Sequence, residues 1–143
     1  ERMRAARLTI DQAGGDALLV GRSEGFIAGR PDLDETIARL KAYSKAGADC
    51  LYAPGIRSRE QIAAVVAAVA PKPVNLLVGW PAEFTVPDIA ALGVRRISVG
   101  GTLARTAWGG FMRAAKLLAE QGTFDGFQGA ASGAELNALF ANR

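Results

Sequence analysis

The chain has 143 residues, half of them hydrophobic, with a mean hydropathy of +0.14; that is enough to bury one modest core and too apolar for a disordered segment. Its net charge of +3 and pI near 9.4 do not indicate nucleic acid, because Arg2, Arg4, Arg7, Arg57, Arg59, Arg95 and Arg96 are scattered without interleaved aromatics, as expected for solvated helix faces and a pocket for small anions. The longest apolar stretch, residues 62–70, is Ala-rich and stops at Pro71, short of the roughly 18 residues a membrane span needs, so no membrane partner is expected.

The opening run Glu1-Arg2-Met3-Arg4-Ala5-Ala6-Arg7 lacks the apolar segment of a signal peptide and reads as a helix from the middle of a longer protein. Apolar strand-like runs then follow at Ala17 to Gly21, Asp49 to Ala53, Val74 to Val78 and Arg96 to Gly100, each short and nearly continuous, as expected for strands covered on both faces. Between the first two, Leu33, Ile37 and Leu40 recur at helical spacing after Pro31-Asp32, and Gly47 supplies the stop. Ser58 and Gln61 frame a capping box, with Ile62, Val65, Val66 and Val69 as the buried stripe. A short helix runs from Val86 to Leu92 and ends at Gly93; a long one spans Thr102 to Gln121. A Gly-, Ala- and Ser-rich stretch from Gly122 to Gly133 leads to a terminal helix at Ala134 to Phe140. The single cysteine, Cys50, has no partner for an internal disulfide; a reducing cytoplasm and a packing role are expected for it.

Alternating strands and amphipathic helices argue for parallel βα units, which build either an open doubly wound sheet or a closed barrel. Loop chemistry favours the barrel. No Gly-x-Gly-x-x-Gly follows the first strand, whereas Arg22, Glu24, Arg57, Glu83, Thr102 and Arg105 stand just past strand ends, at the rim where barrel enzymes assemble their sites. A whole barrel takes about 250 residues, so the fold class is α/β, of the (β/α)8 TIM-barrel type, with four parallel strands making half a barrel.

The run Leu19-Val20-Gly21-Arg22-Ser23-Glu24-Gly25-Phe26, followed by Asp32-Leu33-Asp34-Glu35-Thr36-Ile37-Ala38-Arg39 and Ala46-Gly47-Ala48-Asp49, resembles the fifth strand and following helix of the isocitrate lyase and phosphoenolpyruvate mutase superfamily. There an Ala-Arg-x-Asp/Glu run precedes a similar helix. The resemblance extends from about Arg2 to Phe124, through Lys72-Pro73-Val74-Asn75 and Gly93-Val94-Arg95-Arg96-Ile97-Ser98. It divides the chain into residues 1–124, the C-terminal half of such a barrel, and 125–143, a linker and terminal helix.

The resemblance implies that Arg22 clamps the carboxylate or phosphonate of the substrate; a guanidinium forks onto two oxygens and keeps its charge at any working pH. The alternative is a structural pair with Glu24. Glu24 itself either orients Arg22 or accepts a hydrogen bond from metal-bound water in a complete site. Gly101, Thr102 and Arg105 offer an anion-binding helix start or a simple cap. Asn75 either contacts substrate or ties neighbouring strands. Trp80 and Trp108 read as packing or loop anchors.

Departures from the superfamily pattern are equally informative. The Mg2+ implied for the complete barrel is held by acidic residues on its second, third and fourth strands, to which nothing here corresponds, so no metal ligand is assigned in this chain. The lyases' loop carrying the catalytic cysteine has no counterpart, and Cys50, inside a strand, does not replace it. Where the lyases carry Phe-Pro-Glu, Tyr52-Ala53-Pro54-Gly55 stands, which offers no group expected to act as acid or base. In a chain without histidine, acid–base work would fall to carboxylates, lysine or tyrosine.

The expected function is therefore part of a Mg2+-dependent lyase or mutase that acts on a small 2-oxo or 2-hydroxy carboxylate, cleaving a C–C or P–C bond through an enolate, and inactive alone. Two alternatives stand beside it. One is a non-catalytic half-barrel that pairs with a second copy or a missing N-terminal half; the other is a phosphate-binding barrel of another family that uses Gly100-Gly101-Thr102.

Overall fold

A computed structural model of the chain describes residues 1–141. Among them, α1 (Arg2–Ala13) precedes β1 (Val20–Arg22), α2 (Leu33–Lys45), β2 (Cys50–Tyr52), α3 (Arg59–Val69), β3 (Val74–Leu77), α4 (Val86–Ala91), β4 (Arg96–Ser98), α5 (Thr102–Gln121), a 3-10 turn (Asp125–Phe127) and α6 (Gly133–Phe140). The chain divides into two compact units, one formed by Glu1–Gly100 and one beginning at Gly101.

In the first unit the strands form one parallel sheet in the order β1-β2-β3-β4, each pair joined by a crossover helix. Local chemistry sets the helix ends. The Asp32 carboxylate accepts from the N–H of Glu35 at 2.8 Å to start α2, and Gly47, at φ 99°, turns the chain after it. The expected capping box of Ser58 and Gln61 starts α3, and Thr85 with Asp88 forms another at α4.

The first strand begins later than its apolar run suggests, at Val20 rather than Ala17, and extends to Arg22. The reason lies in Asp49. Its carboxylate accepts the N–H of Leu19 at 2.8 Å, while the carbonyl of Leu19 accepts from Asp49 N–H at 2.8 Å. A side chain thus holds the approach to β1 where a ladder would otherwise run, and Leu18 is left 75% exposed.

The two faces of the sheet differ, because successive residues of a strand alternate. Gly21, Leu51, Val74, Leu76 and Ile97 share one face through the register. On it Leu51, Val74 and Leu76 are buried and cluster with Leu40, Ile62, Val65 and Val69 of α2 and α3. The other face carries Val20, Arg22, Cys50, Tyr52, Asn75, Leu77, Arg96 and Ser98; Arg22 and Arg96 are exposed and Val20, Tyr52, Leu77 and Ser98 only half-buried. The expectation of strands covered on both faces therefore holds on the helix side, whereas on the other face only Cys50 and Asn75 of these residues are buried.

Asp49 also ties α1 to the sheet, since Arg7 donates to its Oδ2 at 2.8 Å while bonding Asp11 at 2.7 Å. Gly47 permits this approach: a Cβ there would stand 2.7 Å from Cγ of Arg7. The Leu19 N–H, first, and the Arg7 and Lys72 charges hold the Asp49 carboxyl below its ordinary value of 3.8, against the opposing effect of desolvation. A depressed folded-state value means that the stabilisation is fully present above pH 3.8 and is lost as pH falls through the folded value. Asp49→Asn is accordingly expected to lower the melting temperature at pH 7. The gap from wild type should close as the pH is taken below 3.8. Thermal melts across that range check this, and a gap independent of pH would contradict it.

In the second unit, α5 is capped by Gly122 at φ 65°. The 3-10 turn packs so closely on α5 that a Cβ on Gly126 would lie 2.5 Å from Cα of Ala114. Within the expected linker this turn is thus an ordered element, and α6 begins one residue before the predicted terminal helix, with Ser132 and Glu135 as its capping box. The last two residues of the 125–143 segment lie outside the described residues.

Candidate functional site

Gly21 explains why Arg22 reaches the open face. A side chain at position 21 would point into the helices, its Cβ 2.8 Å from that of Tyr43, so the next residue, the last of β1, points the other way. There the Arg22 guanidinium forms two contacts with Glu24, one from Nε to Oε1 and one from an Nη to Oε2 at 3.3 Å. Its Cζ also lies 5.0 Å from the centre of the Tyr52 ring, its register partner on β2. Both members of the pair are about half exposed, at 46% and 49%, which leaves the charge within reach of a ligand.

Arg22 and Glu24 also line a groove of about 1080 Å3 among α1, β1 and α2. A smaller cavity of about 110 Å3 is lined by the same pair with Arg30, Glu35 and Arg39. Three guanidiniums against two carboxylates make this end of β1 locally cationic.

Asn75 lies on the same face, level with Tyr52 in the register. It is 1% exposed; its Nδ2 donates to Oγ of Ser98 at 3.0 Å, tying β3 to β4, and its Oδ1 is buried with no hydrogen-bond partner. A buried acceptor left unpaired costs roughly 1–3 kcal/mol, so this carbonyl is suited to a donor from outside the chain. Cys50 shares the face, but it is 6% exposed and burial pushes its thiol up, which opposes the thiolate a nucleophile requires.

The remaining candidates belong to the second unit. Arg105 donates from Nη2 to Oγ1 of Thr102 at 2.9 Å, and its N–H bonds the carbonyl of Gly101. Gly101 is the N-cap of α5 and Gly100, at φ 54°, turns the chain into it. The structure thus brings together Arg22 with Glu24, and Gly101 with Thr102 and Arg105, as two groups on separate units.

Sequence reasoning missed two residues. Tyr52 was set aside with its Tyr-Ala-Pro-Gly run, yet its ring underlies Arg22; ranking strand-end residues by register would have found it. Ser98, the partner of Asn75, follows from the same alternation. Trp80, expected as a packing or loop anchor, carries the Arg57 guanidinium at 4.3 Å, a partner that no local signal announces.

The side chains of the described residues do not compose a magnesium site. Among the described residues no three His, Cys, Asp or Glu come together, and the rim carboxylate Glu24 is engaged by Arg22. No helix among them is long and apolar enough to cross a membrane.

Four consecutive parallel βα units with a cationic strand end define an α/β protein of the (β/α)8 barrel type. The phosphoenolpyruvate phosphomutase family matches residues 1–119, and the chain belongs to that family. A protein of known structure from Burkholderia cenocepacia J2315, provisionally assigned as a lyase or mutase, is 47% identical with a TM-score of 0.91; the match covers 98% of this chain and 50% of that one. An oxaloacetate acetylhydrolase, solved with the inhibitor 3,3-difluorooxalacetate, is 30% identical with a TM-score of 0.74, over 87% of this chain and 42% of that one. The oxaloacetate decarboxylase of Paraburkholderia xenovorans (strain LB400) is 37% identical over 82 residues, 57% of this chain and 25% of the relative. The chain therefore spans about half the length of such solved structures and a quarter to a third of the curated relatives.

Proposed function

We propose that this chain supplies the substrate-anion clamp of an enzyme that acts on a small 2-oxo or 2-hydroxy carboxylate and makes or breaks a C–C or P–C bond through an enolate. One observation carries the reading: the Arg22 guanidinium at the C-terminal end of β1, aimed at the open face between Glu24 and the Tyr52 ring. Arg22 holds the carboxylate by a forked charge-assisted pair and stabilises the negative charge that grows as the enolate forms. Glu24 orients that fork. Asn75 accepts a hydrogen bond from a substrate hydroxyl or a bound water through its unpaired Oδ1. Within the second unit, Gly101, Thr102 and Arg105 at the start of α5 form a separate anion contact. The relatives named for oxaloacetate support a substrate of that size and charge.

Mg2+ in the complete enzyme would be held by carboxylates outside these residues, and would supply electrophilic stabilisation of the enolate oxygen. Residues 1–124 act in this reading as the barrel half, with 125–143 as an appended linker and helix; the whole is a cytoplasmic enzyme. The isolated chain is expected to show no Mg2+-dependent turnover of oxaloacetate or of a 2-methylisocitrate-type substrate. A continuous assay for pyruvate release checks this, and turnover above the metal-only blank would refute the division of labour.

A second reading, a half-barrel that works by pairing with another copy or another half, is favoured by the exposure of Leu103, Trp108, Phe111 and Met112 along α5, each above 60%. Sedimentation discriminates. A monomer that binds no hydrophobic dye would count against it.

A further inference from the structure

We propose that Arg57, carried on the Trp80 ring, is a second anion contact at the rim and makes the site select substrates with two carboxylates. The inference rests on the reading of Arg22 as the first contact. Arg57 lies in the loop after β2 and Trp80 in the loop after β3. In a parallel sheet both loops leave from the strand ends where Arg22 stands.

The neighbouring arginine shows what sets Arg57 apart. Arg59 stacks on Phe84 at 4.7 Å and is also neutralised by Asp88 at 3.9 Å, so it fastens the loop after β3 with its charge already answered. Arg57 stacks on Trp80 at 4.3 Å but makes no ion pair among the described residues. A contact through the flat face of a guanidinium leaves its in-plane N–H groups able to fork onto a carboxylate.

The mounting is also rigid. Oε1 of Gln61 accepts the N–H groups of both Arg57 and Ser58, at 2.9 and 3.2 Å. Just before them Ile56 is 1% exposed. A long cationic side chain with its backbone pinned, its guanidinium over a ring and no ion pair among the described residues has little freedom left to lose when an anion arrives. One rim guanidinium suffices for a monocarboxylate; two favour a dianion.

The test uses the 143-residue chain with Trp108→Phe, which leaves Trp80 as its one indole. Malonate is titrated against acetate, following tryptophan emission and, in parallel, heat. Malonate is expected to give a saturable change in Trp80 emission and to bind roughly tenfold more tightly than acetate, the worth of one added charge-assisted hydrogen bond. Arg57→Gln should erase that preference, bringing malonate down to acetate while acetate and the melting temperature stay unchanged. Trp80→Phe, which keeps a ring, should retain most of the preference by calorimetry, and Trp80→Ala should lose it. Arg22→Gln should instead weaken both ligands.

If Arg57→Gln leaves the malonate-to-acetate ratio within about twofold of the parent, or malonate gives no saturable response, the inference is overturned and Arg57 only fastens a loop. If Arg22→Gln changes neither ligand while Arg57→Gln removes the preference, it is the reading of Arg22 that fails.

Discussion

Arg22→Gln is expected to reduce the affinity of the chain for oxalate by about a hundredfold, ~3 kcal/mol, the order expected when two hydrogen bonds to a charged acceptor are lost. Oxalate is the apt probe because its planar dianion imitates the enolate of a 2-oxo acid. Arg22→Lys should cost less, roughly tenfold, since an ammonium keeps the charge but cannot fork onto two oxygens. Neither variant should disturb the fold, because the side chain is about half exposed and its main partner, Glu24, equally so; exposed pairs of this kind contribute at most about 1 kcal/mol. Isothermal titration reads the affinities, and circular dichroism the fold. Equal oxalate affinity in all three proteins would reduce the Arg22–Glu24 pair to a rim ornament without a ligand.

Leu51→Ala is expected to destabilise the first unit by ~3 kcal/mol, within the range of large-to-small changes at fully buried positions. Leu51 is 0% exposed, sits on β2 between β1 and β3 and lies on the helix-covered face, against the position where a Gly21 Cβ would be, 3.2 Å from its Cδ1. Removing its terminal isopropyl group opens a void that α2, the neighbouring strands and their helices cannot close without losing their own contacts. For a unit of this size such a loss lowers the melting temperature by on the order of 15 °C. Ile97→Ala, on the same face of the edge strand β4 and only half-buried, should cost markedly less. A Leu51→Ala melt within a few degrees of wild type would mean that the core is centred elsewhere.

Much of the architecture was legible because it is written in short-range chemistry. The capping box at Ser58 and Gln61, the stop at Gly47 and the apolar period of Ile62, Val65 and Val69 are local features, and the helices they announce are present. Strand limits were less legible. The run from Ala17 to Val20 is apolar enough for a strand, but its hydrogen bonds are taken in part by the Asp49 side chain thirty positions on, a competition that no window over residues 17–21 contains. The 3-10 turn at Asp125–Phe127 was hidden similarly, because Gly126 serves close packing on Ala114 rather than a flexible linker.

The candidate site divides along the same line. Residue types and strand alternation alone determined that a permanent cation follows Gly21 at a strand end, that Glu24 is its nearest carboxylate in sequence, and that no histidine is at hand for proton transfer. Only the tertiary structure decided that Tyr52 lies beneath that cation, that Asn75 gives its amide to Ser98 and keeps an unanswered carbonyl, and that Arg57 rests on Trp80 with no ion pair among the described residues. The physical reason is range: alternation and capping act over two to four residues, whereas these partners are joined by the register of neighbouring strands and the meeting of separate loops, which exist only once the sheet has formed.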